Sequence, residues 1–233
     1  MELLDNLPLT LTAADVAALA LLVVTWLGVG RLIEHPPRGR PSVSFLMKRY
    51  RRDWMFEMLT RDNRIFDGNT LTGLREGTAF FASACMIAMG GGLALVGNTE
   101  PLTGIARELD AAAIPALLLK LKLLLILGFV ANAFLKFVWS HRLFGYCAIM
   151  MAAIPNDPDD RRVAVRAGAA AEININAARN FNIGLRAVYF AIGSAGWLLG
   201  PLGLVAGTVL VTSMTLRREF TSASRQAIMD DVP

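Results

Sequence analysis

The sequence has few of the residues on which soluble enzymes and secreted proteins depend. It contains two cysteines and two histidines in 233 residues, and only 18% of its residues are charged. Two thiols are too few for a disulfide framework or a zinc site, so Cys85 and Cys147, each inside an apolar stretch, are predicted to be buried and inert. A typical soluble domain has about 25% charged residues. An ordinary soluble enzyme is therefore not expected.

Catalytic motifs are also missing from the sequence. His35 lies in a proline-rich turn and His141 at the end of an apolar block, so neither is predicted to be a catalytic base. No serine lies in a nucleophile elbow, and there is no H-E-x-x-H or Walker pattern. We therefore expect a protein that is not an enzyme and that uses no metal and no cofactor. A membrane-embedded enzyme is the less favoured alternative.

What the sequence does contain is long apolar blocks. Hydrophobic residues make up 55% of the chain, and four blocks approach or exceed the ~20 residues that a bilayer-spanning helix needs. The predicted spans are residues 11–30, 78–96, 118–140 and 186–214. We predict an all-α integral membrane protein, a single membrane domain over 1–233 with four transmembrane helices. Its net charge of +4 is attributed to basic cytoplasmic loops and not to nucleic-acid binding.

The first basic segment, 31–77, contains a predicted amphipathic helix. Within Ser42–Arg61, an apolar stripe faces away from Lys48, Arg49 and Arg52. This pattern predicts a helix that lies at the membrane interface. Packing against the protein's own helices is the alternative, because several apolar residues fall outside the stripe.

The third apolar block is too long for one membrane crossing. From Ala111 to Ile154 there is no proline after Pro115, which gives about forty residues of helix-compatible sequence. Such a helix would be about 60 Å long, roughly twice the ~30 Å hydrocarbon thickness. A second helix start follows, with Asp157 as its predicted N-cap. We therefore predict a long helical hairpin over 141–185, projecting into the cytoplasm.

Small residues predict close helix packing, and with it a homo-oligomer. The residues concerned are Ala84, Ala88, Gly92, Gly196, Gly200, Gly203 and Gly207. Gly200-Pro201 should bend or break the last helix. One kinked span over 186–214 is predicted, and a re-entrant hairpin is the alternative.

The distribution of basic residues predicts the orientation of the chain. Residues 31–75 hold ten of the 23 Lys and Arg residues, and residues 142–186 hold six. The positive-inside rule places both segments in the cytoplasm and both termini outside a cell (inner) membrane. Arg217, Arg218 and Arg225 argue against an outside C-terminus.

Polar side chains collect at the predicted cytoplasmic ends of the spans, and those of the third span and those of the fourth each share one helical face. They are Arg75, Glu76, Asn132, Lys136, Glu172, Asn176, Arg179 and Arg186. Cationic residues at membrane depth usually face a bundle interior, a water-filled cavity or a counter-ion. One hypothesis is a cationic vestibule for an anionic solute. The alternative is that these residues reach anionic lipid headgroups and pair with Glu76 and Glu172.

The order of several motifs resembles a known family. The motifs are Arg61-Asp62-Asn63-Arg64-Ile65, Phe80-Phe81-Ala82-Ser83, the set Asn182, Gly184, Leu185, Arg186, Tyr189 and Phe190, and Arg218-Glu219-Phe220. The chain resembles a family of bacterial and plant multipass membrane proteins of unknown function. This resemblance supports the topology and implies no mechanism.

Two functions follow as hypotheses. The favoured one is an oligomeric channel or transporter-like protein for a small anionic solute. The alternative is a non-transporting scaffold or accessory subunit that binds a partner through its cytoplasmic hairpin. In both cases the expected partners are the lipid bilayer, including anionic lipids, and further copies of the chain, with no nucleic acid.

Overall fold

The structure is a computed structural model that describes residues 11–100 and 115–231. Every regular element in these ranges is helical, which confirms the predicted all-α class. The helices are α1 (Ala13–Glu34), α2 (Val43–Glu57), α3 (Ile65–Gly97), α4 (Ala116–Ala152), α5 (Arg162–Ala195), α6 (Pro201–Phe220) and α7 (Ala223–Asp230). Short 3-10 turns at Met58–Thr60 and Gly196–Leu199 follow α2 and α5.

Helices α1, α3 and α4 are long and apolar enough to cross a membrane. Their most apolar stretches have mean hydropathies of 2.2, 2.0 and 2.0, and most of those residues lie on the surface of the protein. Ile87, for example, is 78% exposed and Phe80 is 70% exposed. An apolar surface of this extent is stable when lipid covers it. These helices indicate a membrane protein.

Helix α1 begins with the predicted capping box. The Thr12 side chain accepts a hydrogen bond from the Asp15 backbone, and the Asp15 carboxylate accepts one from the Thr12 backbone at 3.1 Å. The interpretation of Asp15 as a capping residue is confirmed. Asp15 also accepts a hydrogen bond from Trp197 Nε1 at 2.8 Å, which ties the start of α1 to the end of α5.

The chain reverses direction at Gly200. This glycine has φ of 103°, a conformation that favours glycine, and Pro201 starts α6 at a position that needs no backbone N–H. Helices α5 and α6 then run back along each other, with Gly196 against Gly203 and Gly193 against Gly207. The prediction of one kinked span over 186–214 is therefore wrong, and the hairpin alternative describes the fold.

The hairpin returns the C-terminal part of the chain to the basic segments. Arg225 Nε donates to the Pro41 carbonyl at 2.9 Å, and Tyr50 Oη donates to Asp231 at 2.5 Å, so α7 packs beside α2. The expectation that the C-terminus and the basic segments lie on opposite sides is wrong. The basic Arg217 and Arg218, at the end of α6, lie at this same end.

The bundle therefore has two ends that differ in charge. We call the end with Asp15, Lys122 and Trp197 the turn end, because the α5–α6 turn lies there. We call the end with Glu34 and Arg179 the basic end.

Helices α4 and α5 form the predicted long hairpin. They contain 37 and 34 residues, and Ser140 Oγ donates to the Ala177 carbonyl at 2.7 Å across their contact. Cys147 is buried there, as predicted. Helix α5 starts at Arg162, so the prediction of Asp157 as its N-cap is wrong. Asp160 accepts a hydrogen bond from the Arg162 backbone at 2.8 Å.

Helix α2 packs against the protein's own helices. Met55 and the following Met58 are fully buried, in a cluster with Phe144 and the small residues of α5. Arg51 and Arg52 of α2 donate hydrogen bonds to Asn174 and Glu172 of α5, respectively. The prediction of a helix at the membrane interface therefore gives way to its alternative, packing against the protein's own helices, because Met55 and Met58 are buried in that cluster.

The predicted small-residue faces either contact other helices of the same chain or remain exposed. A Cβ at Gly196, Gly203 or Gly207 would collide with backbone across the α5–α6 contact, and one at Gly92 would collide with Leu127 of α4. Ala84 and Ala88 remain exposed on α3. Because these glycines form contacts within the chain, they do not support a homo-oligomer, which stays a prediction.

Candidate functional site

The basic end contains a cavity of about 530 Å³ between α1, α2, α5 and α6. This volume falls within the range of sites for small molecules, about 300–1,000 Å³. We call it the basic-end cavity. Its charged lining residues are Glu34, Lys48, Arg51, Arg179, Arg186, Arg218 and Glu219. Five cations face two carboxylates, which leaves an excess of three positive charges.

The connection between α1 and α2 positions the acidic side of this cavity. Ser42 caps α2 by accepting a hydrogen bond from the Phe45 backbone, and its hydroxyl donates to the Ile33 carbonyl at 2.7 Å. Ser42 is fully buried. This bond places the start of α2 beside the end of α1, so Glu34 faces into the space between α2 and α5.

Glu34 holds two arginines of α5. Arg186 donates to Glu34 Oε1 at 2.8 Å, and Arg179 donates through Nε to Glu34 Oε2, also at 2.8 Å. Arg186 is only 8% exposed, so its charge depends on this partner. One carboxylate cannot neutralise two guanidiniums, and the cluster keeps a net positive charge.

Glu219 is satisfied mainly by neutral groups at the start of α2. Its two carboxylate oxygens accept hydrogen bonds from the Ser44 backbone at 2.9 Å and from the Ser44 hydroxyl at 2.8 Å. Asn182 in turn donates to that hydroxyl at 3.2 Å. Glu219 forms no ion pair within the described residues, so it is not a partner for Lys48, Arg51 or Arg218.

The remaining cations come from α2 and α6. Arg51 donates to Asn174 Oδ1 at 2.5 Å, and burial lowers the pKa of its guanidinium from the ordinary value. Lys48 lies 5.0 Å from the ring centre of Phe45. Arg218 donates to the Tyr189 hydroxyl. None of these three forms an ion pair in residues 11–100 and 115–231.

A family model matches residues 17–224 and is described as protein of unknown function, DUF599. The chain belongs to the DUF599 family. This confirms the predicted membership of a family of unknown function. No curated protein and no solved structure matches the chain.

In the DUF599 chain, the residues of the predicted vestibule do not line one common cavity. Only Arg179 and Arg186 line the basic-end cavity. Arg75 lines a second cavity, between α3 and α4. The other five predicted residues, Glu76, Asn132, Lys136, Glu172 and Asn176, line neither cavity. Glu76 belongs to α3, and Asn132 and Lys136 belong to α4, two helices that contribute no residue to the basic-end cavity.

Sequence reasoning missed Glu34, Lys48, Arg51, Arg218 and Glu219. Their only signal was the resemblance motif Arg218-Glu219-Phe220 and the cation-rich face of α2. Within the described ranges, no group of three or more His, Cys, Asp or Glu residues lies together.

Proposed function

We propose that this protein is a transporter-like membrane protein for a small anionic solute, and that the basic-end cavity is its cytoplasmic vestibule. The observation that carries the proposal is the excess of three positive charges around a cavity of about 530 Å³. Clefts lined by one sign of charge concentrate counter-ions and accelerate their entry. Arginine forks also match the geometry of carboxylate and phosphate groups.

The orientation of the chain is part of this proposal. The basic end carries the charged segments around α2 and both arginines at the end of α6, Arg217 and Arg218. The positive-inside rule favours the cytoplasm for this end and the opposite side for Thr12 at the start of α1. A cell (inner) membrane location, with the cavity open to cytoplasmic solutes, follows from that orientation.

Glu34 pairs with two arginines of α5 in the absence of an anion, and the transported anion would compete with it for one of them. It holds Arg179 and Arg186 when the cavity is empty. An incoming anion competes for Arg179, the more exposed of the two arginines, while Arg186 keeps Glu34. The cavity therefore offers an anion a positive surface without leaving a buried guanidinium unpaired, which would be strongly unfavourable.

The test is anion flux into liposomes that contain the purified protein. Chloride, inorganic phosphate and a dicarboxylate are offered separately, at low and high salt. The double substitution Lys48→Gln, Arg218→Gln removes two unpaired cations, and we expect it to reduce flux several-fold at low salt. The reduction should shrink at 1 M salt, where the Debye length falls from about 10 Å at 0.1 M to about 3 Å.

Arg217→Gln is the matched control, because Arg217 neighbours Arg218 but does not line the cavity. It should leave flux unchanged. Wild-type liposomes that pass none of the three anions would contradict the transport proposal. Equal flux in the double variant and the control would contradict the role of the cavity.

A second candidate function, a scaffold or accessory subunit, is supported by the far end of the α4–α5 hairpin. Ile149 and Val165 are 68% and 72% exposed there, and Phe66 at the start of α3 is 70% exposed. Charged groups of the same hairpin are held in ion pairs, as between Arg52 and Glu172 at 2.8 Å. Exposed apolar side chains next to satisfied charges are typical of a protein-binding surface. Absence of flux would favour this candidate.

A further inference from the structure

A second cavity, of about 460 Å³, lies between α3, the 3-10 turn after α2 and the end of α4. We call it the α3–α4 cavity. Met58, Leu71, Met151 and Ile154 form its apolar walls, and two arginines, Arg64 and Arg75, also line it. It shares no lining residue with the basic-end cavity. No carboxylate lines it, so its two positive charges have no counter-charge inside the cavity.

Asp67, the residue before Gly68 of the cavity lining, is paired with a different arginine. Asp67, which is fully buried, accepts a hydrogen bond from Trp54 Nε1 at 2.6 Å and forms an ion pair with Arg61. Within residues 11–100 and 115–231, neither Arg64 nor Arg75 forms an ion pair. The local acid thus neutralises Arg61 and leaves the two cavity arginines charged.

The backbone carbonyl of Arg75 accepts a hydrogen bond, but the side chain has one donor without a partner. The Arg75 carbonyl accepts a hydrogen bond from Thr78 Oγ1 at 2.6 Å and lies 3.2 Å from His141 Nδ1. Its Nε is buried and has no hydrogen-bond partner among the described residues. A buried donor without a partner is unfavourable by about 1–3 kcal/mol, and more for a charged group. An acceptor bound in the cavity would remove this deficit.

Arg64 completes the polar side of the cavity. Its Nη1 reaches the Ile154 carbonyl with a long bond of 3.3 Å, which leaves the other donors of the guanidinium free for a ligand. Two guanidiniums beside apolar walls suit an anion that carries an apolar substituent. Thr78, one helical turn from Arg75, is the first residue of the predicted span 78–96, so the cavity lies near headgroup depth.

We propose that the α3–α4 cavity binds a phosphate ester with an apolar substituent, through Arg64 and Arg75. The ester is either the headgroup of an anionic lipid or a small soluble organic phosphate. In both cases its oxygens accept hydrogen bonds from the guanidiniums, the strong charge-assisted kind, and its apolar part contacts Met58, Leu71 and Met151. The site is independent of the proposed transport function.

The experiment measures thermal unfolding of the full chain in nanodiscs, with two probes. In one arm, phosphatidylglycerol is added at increasing fractions to phosphatidylcholine. In the other, butyl phosphate is added to protein in phosphatidylcholine alone. A ligand that binds the folded protein raises the unfolding midpoint with concentration. We expect saturating stabilisation in at least one arm, and the arm that saturates identifies the source of the ester.

The double substitution Arg64→Gln, Arg75→Gln should weaken the apparent affinity at least tenfold. Arg142→Gln is the matched control, because Arg142 bonds Tyr146 at 2.9 Å on α4 and does not line the cavity. It should respond as the wild type does. Equal responses of the double variant and the control, or no response of the wild type in either arm, would overturn the proposal.

Gly68→Leu provides a test in which both charges remain. Gly68 lines the cavity, and a Cβ built on it would meet no atom within 4 Å, so there is room at this position for the base of a larger side chain. It should abolish the stabilisation by either probe. Unchanged stabilisation in this variant would also overturn the proposal, even if the double variant failed to fold.

Discussion

Replacing Gly203 by alanine tests the contact that reverses the chain. A Cβ at Gly203 would collide with the carbonyl oxygen of Gly196, and would lie 3.2 Å from the carbonyl carbon and 3.1 Å from Leu199 Cβ. Both groups of Gly196 belong to the backbone, so no side-chain rotation relieves the collision. Helices α5 and α6 would have to move apart along the contact that also brings Gly193 against Gly207.

The magnitude follows from two opposing effects. Overpacking of this kind typically destabilises by about 1–3 kcal/mol. Alanine in place of glycine favours the helix by up to about 1 kcal/mol, so we expect a net loss of about 1–2 kcal/mol. For a chain of this size, that loss lowers the unfolding midpoint by about 2–8 °C.

The assay is thermal unfolding of the purified protein in detergent, compared with Gly90→Ala. Gly90 is also inside a helix, but a Cβ there would meet no atom within 4 Å. This control should keep or slightly raise the midpoint. If Gly203→Ala were as stable as Gly90→Ala, the close approach of α5 and α6 would be refuted.

Two further substitutions test buried carboxylates by the same measurement. Trp197→Phe removes the 2.8 Å hydrogen bond to the buried Asp15 and should destabilise the protein by about 1–3 kcal/mol. The control is Trp139→Phe, at a side chain that is 47% exposed, and it should have little effect. Equal unfolding midpoints of the two variants would show that the bond does not stabilise the turn end. Arg61→Gln removes the cationic partner of the fully buried Asp67 and should cost about 2–3 kcal/mol. Its control, Arg49→Gln, breaks an exposed pair with Asp53 and should cost less than about 1 kcal/mol, so similar losses in both would contradict the role of burial.

The local features of the fold could be predicted because they depend on neighbouring residues. The capping box needs only Thr12 and Asp15, and the length of α4 needs only an apolar run without proline after Pro115. The direction of the chain after Gly200 could not be predicted in this way. A Gly-Pro pair predicts an interruption, but both a bend and a reversal are open to glycine, and the choice depends on how α6 packs.

The candidate site was less predictable for the same reason. Helical periodicity identified Arg179 and Arg186 as members of one face of α5, and both line the basic-end cavity. Their partner Glu34 lies 145 residues before Arg179, and no spacing rule connects them. Lys136 satisfied the same periodicity on α4 but does not line the cavity, because periodicity does not specify which helices become neighbours.

The sharing of Glu34 between two arginines would link the proposed anion binding thermodynamically to the position of α1. Glu34 is the last residue of α1, and its ion pairs attach that helix end to α5. Any anion that takes Arg179 from Glu34 weakens this attachment, and by reciprocity the attachment weakens the anion's affinity by the same factor. Under the proposed function, occupation of the cavity would therefore loosen the end of α1 that lies opposite Asp15.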